Sequence, residues 1–81
     1  MEYVARTPQQ LGQILKACRS KRGLTQGSAG AKVGLRQAQI SAIETHGAEI
    51  TVDTLYRLLS ALGLELVLRE MPSGDTSTTE W

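Results

Sequence analysis

Short apolar stripes, each closed by a glycine, are what most restrict the fold of this chain. Gly23, Gly34 and Gly63 follow three such stripes, and Gly47 sits in the loop before the last one. Glycine reaches the left-handed conformation that ends a helix without a steric cost, so each stop is also a turn. The residues before each stop repeat at helical spacing. Leu11, Ile14, Leu15 and Cys18 fall at i, i+3, i+4 and i+7, one face of an α-helix. Leu55, Leu58, Leu59 and Leu62 form a second such face. Several short helices packed into one domain are the expected result.

The helix starts are marked as clearly. Thr7 caps a helix with Pro8 in its first position and Gln10 completing a capping box. With Arg19, Lys21 and Arg22 near its end, where the helix dipole favours cations, this first helix is predicted over 8–22. Thr25 caps a second helix over 26–33. Gly27 and Gly30 weaken it by about 1 kcal/mol each relative to alanine, so packing must hold it. Gly30 is also a place for close approach to another helix. A third helix is expected over 36–44, with Ile40 and Ile43 inward and Leu35 joining them. Thr45–Ile50 is read as a loop. Thr51 then caps a fourth helix, with Asp53 in its first turn.

Leu64, Leu66 and Leu68 alternate with Glu65, Val67 and Arg69, the period of a strand. A single strand leaves its backbone groups unpaired. Self-pairing with a second copy through Leu64, Leu66, Val67 and Leu68 solves that; the alternative is that 64–70 extends the fourth helix. The last residues, 71–81, are rich in Ser and Thr, show no apolar period, and end in Trp81. They are expected to be disordered alone. The domain plan is thus an N-terminal arm (1–6), a helical domain (7–63), a dimerisation strand (64–70) and a tail (71–81).

Composition narrows the function. With 81 residues and three aromatics, Tyr3, Tyr56 and Trp81, the core must be aliphatic and a monomer is marginal. Dimerisation is one remedy. One cysteine and one histidine, Cys18 and His46, argue against a disulfide framework and a metal centre. Cys18 belongs on the apolar face of the first helix, His46 is expected in solvent, and Tyr56 in the core or a dimer interface. No triad, phosphate loop or carboxylate pair suggests catalysis, and neither a cofactor nor a small-molecule ligand is expected. The N-terminus lacks a signal-peptide pattern and no apolar run suits a membrane, so a cytoplasmic location is expected.

The net charge of +1 hides an asymmetry. Between residues 3 and 43 there are seven basic residues, Arg6, Lys16, Arg19, Lys21, Arg22, Lys32 and Arg36, and no acidic one. A one-sided basic block is suited to phosphate neutralisation. It coincides with a helix–turn–helix pattern in the second and third helices. In that motif the second helix enters the major groove and the first crosses the backbone. Gln37 and Gln39 can bond base edges, Arg36 a guanine or a phosphate, and Ala38 a thymine methyl. Gln26, at a helix N-terminus, suits a phosphate; Lys16, Arg19 and Lys32 are further phosphate candidates.

The string Gly23-Leu24-Thr25-Gln26, then Lys32-Val33-Gly34, then Gln39-Ile40-Ser41-Ala42-Ile43-Glu44 resembles the Xre/Cro-type (lambda-repressor-like) repressors. The resemblance spans 8–63 and implies an all-α helix–turn–helix fold, with Gln37, Ala38 and Ser41 nearest the bases. Departures are Ala29 and Gly30 in the second helix and Arg36 in place of a small cap. The layout also resembles the HipB-type antitoxins through Thr7-Pro8-Gln9-Gln10-Leu11, Arg36-Gln37-Ala38, the leucine-rich strand and Glu80-Trp81. That resemblance implies a homodimer on a palindromic operator, an autorepressor role, and a HipA-like kinase toxin (or a smaller relative) that takes Trp81. A stand-alone repressor, or an interaction module of this fold that has lost DNA binding, remains open on the residues alone.

Overall fold

A computed structural model describes residues 1–72. Four helices follow one another: α1 (Pro8–Lys21), α2 (Gln26–Val33), α3 (Gln37–His46) and α4 (Val52–Ala61). They form an all-α helix–turn–helix fold. α3 packs on both α1 and α2, and α4 closes over α2.

Local chemistry explains the boundaries. The Thr7 hydroxyl accepts from the Gln10 N–H at 3.1 Å. The return arm of that cap differs from the expected box. The Gln10 side-chain oxygen accepts from the Arg6 N–H at 2.6 Å rather than from Thr7, tying the N-terminal arm to α1. Thr25 and Ser28 form a reciprocal box, at 3.0 and 2.9 Å. Thr51 accepts from the Thr54 N–H at 3.1 Å. α3 runs two residues past its expected end, because Gly47, with φ 64°, is the stop and Glu44 is not. A side chain at Gly47 would also strike the Pro8 backbone, with a β-carbon 2.7 Å from its carbonyl carbon.

The aliphatic core is as the periodicity predicts. Leu15, Cys18, Val33, Ile40, Ile43, Leu58, Leu59 and Leu62 are buried in one cluster, flanked by Leu11, Leu24, Leu35, Leu55 and Leu64. His46 is exposed, as expected. Tyr56 is not core: it is 53% exposed on the outer side of α4. Gly30 does permit a close approach, though mainly to the turn: a β-carbon there would sit 2.5 Å from the Leu35 carbonyl oxygen. No spacing in the sequence marks Gly12. It lets α1 lie directly on the α3 backbone, where a β-carbon would overlap the Ile43 carbonyl oxygen.

Residues 64–70 form neither a strand nor a continuation of α4. α4 is stopped by Leu62 and by Gly63, at φ 71°. From Leu64 to Pro72 the chain runs without helix, turn or bend. Leu64 packs on the core, whereas Leu66, Val67 and Leu68 are 46%, 65% and 89% exposed. A ladder needs a second edge, and the helical domain of one chain offers none. The tail beyond Pro72, including Trp81, lies outside the described residues.

Gly12→Ala is expected to destabilise the fold by about 1–3 kcal/mol, because the added methyl meets fixed backbone that cannot yield locally. Urea unfolding checks this as a lowered midpoint at unchanged slope.

Candidate nucleic-acid interface

The site is built on one buried carboxylate. Glu44 follows Ile40 and Ile43 at helical spacing, so it faces inward with them. Its side chain is only 3% exposed. A buried carboxylate is tolerated only with partners, and three donors meet it. Arg19 of α1 donates through Nε at 2.7 Å and Nη2 at 3.1 Å. Gln26 of α2 donates through Nε2 at 3.1 Å. The remaining Arg19 nitrogen, Nη1, donates to the Leu24 carbonyl at 2.8 Å. The hydrogen bond to Glu44 raises the Arg19 pKa above its ordinary value, partly opposed by burial and supported by the attraction to the carboxylate. Arg19 therefore stays charged at any working pH.

This changes the reading of two residues. Arg19 is expected from sequence as a phosphate contact, but its guanidinium is turned inward and spent on Glu44 and Leu24. It holds the α1–α2 corner to the end of α3 instead. Glu44 was missed as a functional residue, although the Ile40–Ile43–Glu44 spacing carries the signal that it points into the core.

The network continues outward. Glu44 can only accept, so Gln26 turns its amide nitrogen inward and its oxygen outward. That oxygen accepts from Gln37 Nε2 at 3.2 Å. Gln37, in the first turn of α3, is thereby held with its own oxygen and one N–H unspent. Those are the two groups needed for a bidentate contact to adenine. Four residues thus link α1, the start of α2 and both ends of α3.

Around Gln37 the start of α3 is open. Arg36, Gln37, Ala38 and Gln39 are all exposed, and Ser41 is half-buried. Arg36 occupies the cap position without an oxygen to offer. Gln39 compensates: its side-chain oxygen accepts from the Arg36 N–H at 2.8 Å. Gln39 is therefore less free than its sequence position suggests, with only its amide nitrogen unspent. Lys16 is exposed on α1. Lys32 is exposed in the last turn of α2, beside a shallow depression bordered by Asp53, Tyr56 and Arg57 of α4. Among the described residues no group of His, Cys, Asp and Glu is arranged to hold a metal, and no helix is long and apolar enough to cross a membrane.

The chain is similar to known proteins over most of its length. A helix-turn-helix family model matches residues 15–68. The chain is 31% identical over 74 residues to the antitoxin HipB of Escherichia coli, covering 91% of this chain and 84% of that one. Among solved structures, a HipB–O4 20-mer complex superposes with a TM-score of 0.76 at 29% identity, covering 89% of this chain and all of that one (100%). A HipA–HipB–O2–O3 complex gives 0.75 at 29% identity, with 89% and 100% coverage. The chain belongs to the helix-turn-helix family, and within it to the HipB-type antitoxins. That membership places it among DNA-binding antitoxins rather than enzymes.

Removing one partner of the buried pair should be costly. Glu44→Ala strands the Arg19 guanidinium and is expected to cost about 3–5 kcal/mol. The double change Arg19→Met with Glu44→Leu should return most of that loss. Urea midpoints of the two single variants and the double variant check this; additive losses would refute the pairing.

Proposed function

We propose that this chain is a homodimeric antitoxin and autorepressor, which binds a palindromic operator and a HipA-like kinase toxin or a smaller relative. The observation that carries the DNA reading is the exposed start of α3, with Gln37 pre-set by the Gln26–Glu44–Arg19 network. Arg36, Gln37, Ala38, Gln39 and Ser41 are the base-facing set. Gln37 is the main reader, Arg36 supplies the cation, and Gln39 contributes only its amide nitrogen. Gln26, Lys16 and Lys32 are the phosphate contacts, with Arg19 removed from that set. Fixing Gln37 before binding lowers the ordering cost of recognition.

Two further parts of the reading concern protein partners. The leucine-rich segment, with its exposed Leu66, Val67 and Leu68, pairs with the same segment of a second copy. A two-fold dimer sets the two recognition helices ~34 Å apart, on successive major grooves. Trp81 anchors the toxin: Trp is among the residues that carry most of the binding energy at protein interfaces. The solved HipA–HipB–O2–O3 complex supports the pairing of both roles in one small protein.

Operator affinity separates the contacts. Gln37→Ala is expected to weaken specific binding by roughly 1–3 kcal/mol with the fold intact. Lys32→Ala is expected to lower the salt slope by about one unit. Titrations by fluorescence anisotropy at several salt concentrations measure both. An unchanged affinity removes Gln37 from readout, and an unchanged slope leaves Lys32 in solvent. Deleting 76–81 should spare operator binding and abolish most toxin binding, as read by pull-down and anisotropy on the same preparation.

A further inference from the structure

The unpaired segment after α4 carries its own register information. Leu64 to Pro72 runs without bend, and none of the backbone hydrogen bonds outside the helices involves residues 65–72. Leu66 and Leu68 in it are 46% and 89% exposed. In a two-fold antiparallel pair lying flat in one sheet, each residue must face a residue of the same side. The axis must then pass through a residue, and three choices matter. An axis at Leu66 sets Glu65 against Val67 of the partner subunit and leaves Arg69 opposite the partner's Gly63. An axis at Leu68 sets Leu66 against the partner's Glu70. An axis at Val67 sets Leu66 against the partner's Leu68 on one side, with Leu64 opposite the partner's Glu70 at the end, and it alone sets Glu65 against the partner's Arg69 on the other.

We infer that the segment pairs with a second copy of this chain about Val67, closed on each flank by a Glu65–Arg69 ion pair between subunits. This inference rests on the dimer reading above and specifies its geometry. Charge complementarity selects it: opposite charges directly across a ladder are favourable and like charges are not. Glu65 has no ion-pair partner among the described residues. Arg69 has one, Glu2 of the N-terminal arm, at 3.2 Å between side chains 76% and 65% exposed. Such an open pair holds Arg69 weakly, beside the segment's edge and free to meet a second carboxylate. On the opposite side, Leu66 and Leu68 of both copies meet and cover one another, next to Leu64 on the core.

Cysteine scanning tests the axis. A residue on the two-fold faces its own copy at a Cα separation of ~4.5–5.5 Å, within the ~4.4–6.8 Å a disulfide spans. Neighbours one position away sit diagonally, at ~7–8 Å, outside it. Val67→Cys in the full chain should therefore cross-link to a covalent dimer under mild oxidation, while Leu66→Cys and Leu68→Cys should not. Buried Cys18 stays as an internal control. Sedimentation supplies the second readout. Glu65→Arg and Arg69→Glu should each weaken the dimer roughly tenfold, through like charges on both flanks, and the double swap should restore it. Preferential cross-linking at Leu66→Cys, or a swap that restores nothing, overturns the Val67 register while leaving the dimer standing. A parent chain that sediments as a monomer at every concentration overturns the dimer and the register together.

Discussion

The Arg19–Glu44 pair is the joint on which the rest of the domain turns. It lies where α1, the α1–α2 corner and the end of α3 meet, and it is closed on three sides by donors. A buried ion pair is weak evidence of net stability, since desolvation offsets most of the attraction. Its effect here is on specification. The pair joins α1 to the end of α3, and Gly12 lets the two helices lie close enough for it to form. The same carboxylate decides which way Gln26 faces, and so what Gln37 offers.

The domain shows a division of labour between its polar residues. Those that point inward, Arg19 and Glu44, hold position. At the rim, Gln26 engages both ends of its amide, with Glu44 and with Gln37, while Gln39 uses its oxygen on the Arg36 N–H and keeps its amide nitrogen. Arg36, Gln37 and Ala38 are left open at the start of α3. A recognition surface built this way gains precision from the layer beneath it, because side chains tied by a second layer keep their orientation. The small core has a related consequence. Without phenylalanine, four short helices bury a modest cluster, and large apolar residues are left exposed in the N-terminal arm, on α4 and in the segment after it.

Much of this was legible in the sequence because it is local. Thr7, Thr25 and Thr51 start helices through their own hydroxyls, Gly34, Gly47 and Gly63 end turns through their own φ, and the leucine spacing assigns the core face. The errors share one origin, which is that a residue's partner can be distant in the chain. Arg19 reads as a solvent-facing cation until Glu44, 25 residues later, is brought against it. Gln10 reaches Arg6 rather than Thr7, a difference of one residue that spacing cannot resolve. The alternation at 64–70 identified a segment that is not helix, but a strand is a property of two edges.

By itself the sequence determined the helix count, the turn between α2 and α3, the aliphatic core and the set of residues at the start of α3. Each follows from interactions within about one helical turn, or from a periodicity that needs no knowledge of the partner. Tertiary structure decided which charged and amide groups remain free. Charge and polarity name what a side chain can do, but burial and the nearest partner decide what it has left to do it with. That is why Arg19 left the surface, Glu44 entered the site, and Gln37 came to present one oxygen and one N–H.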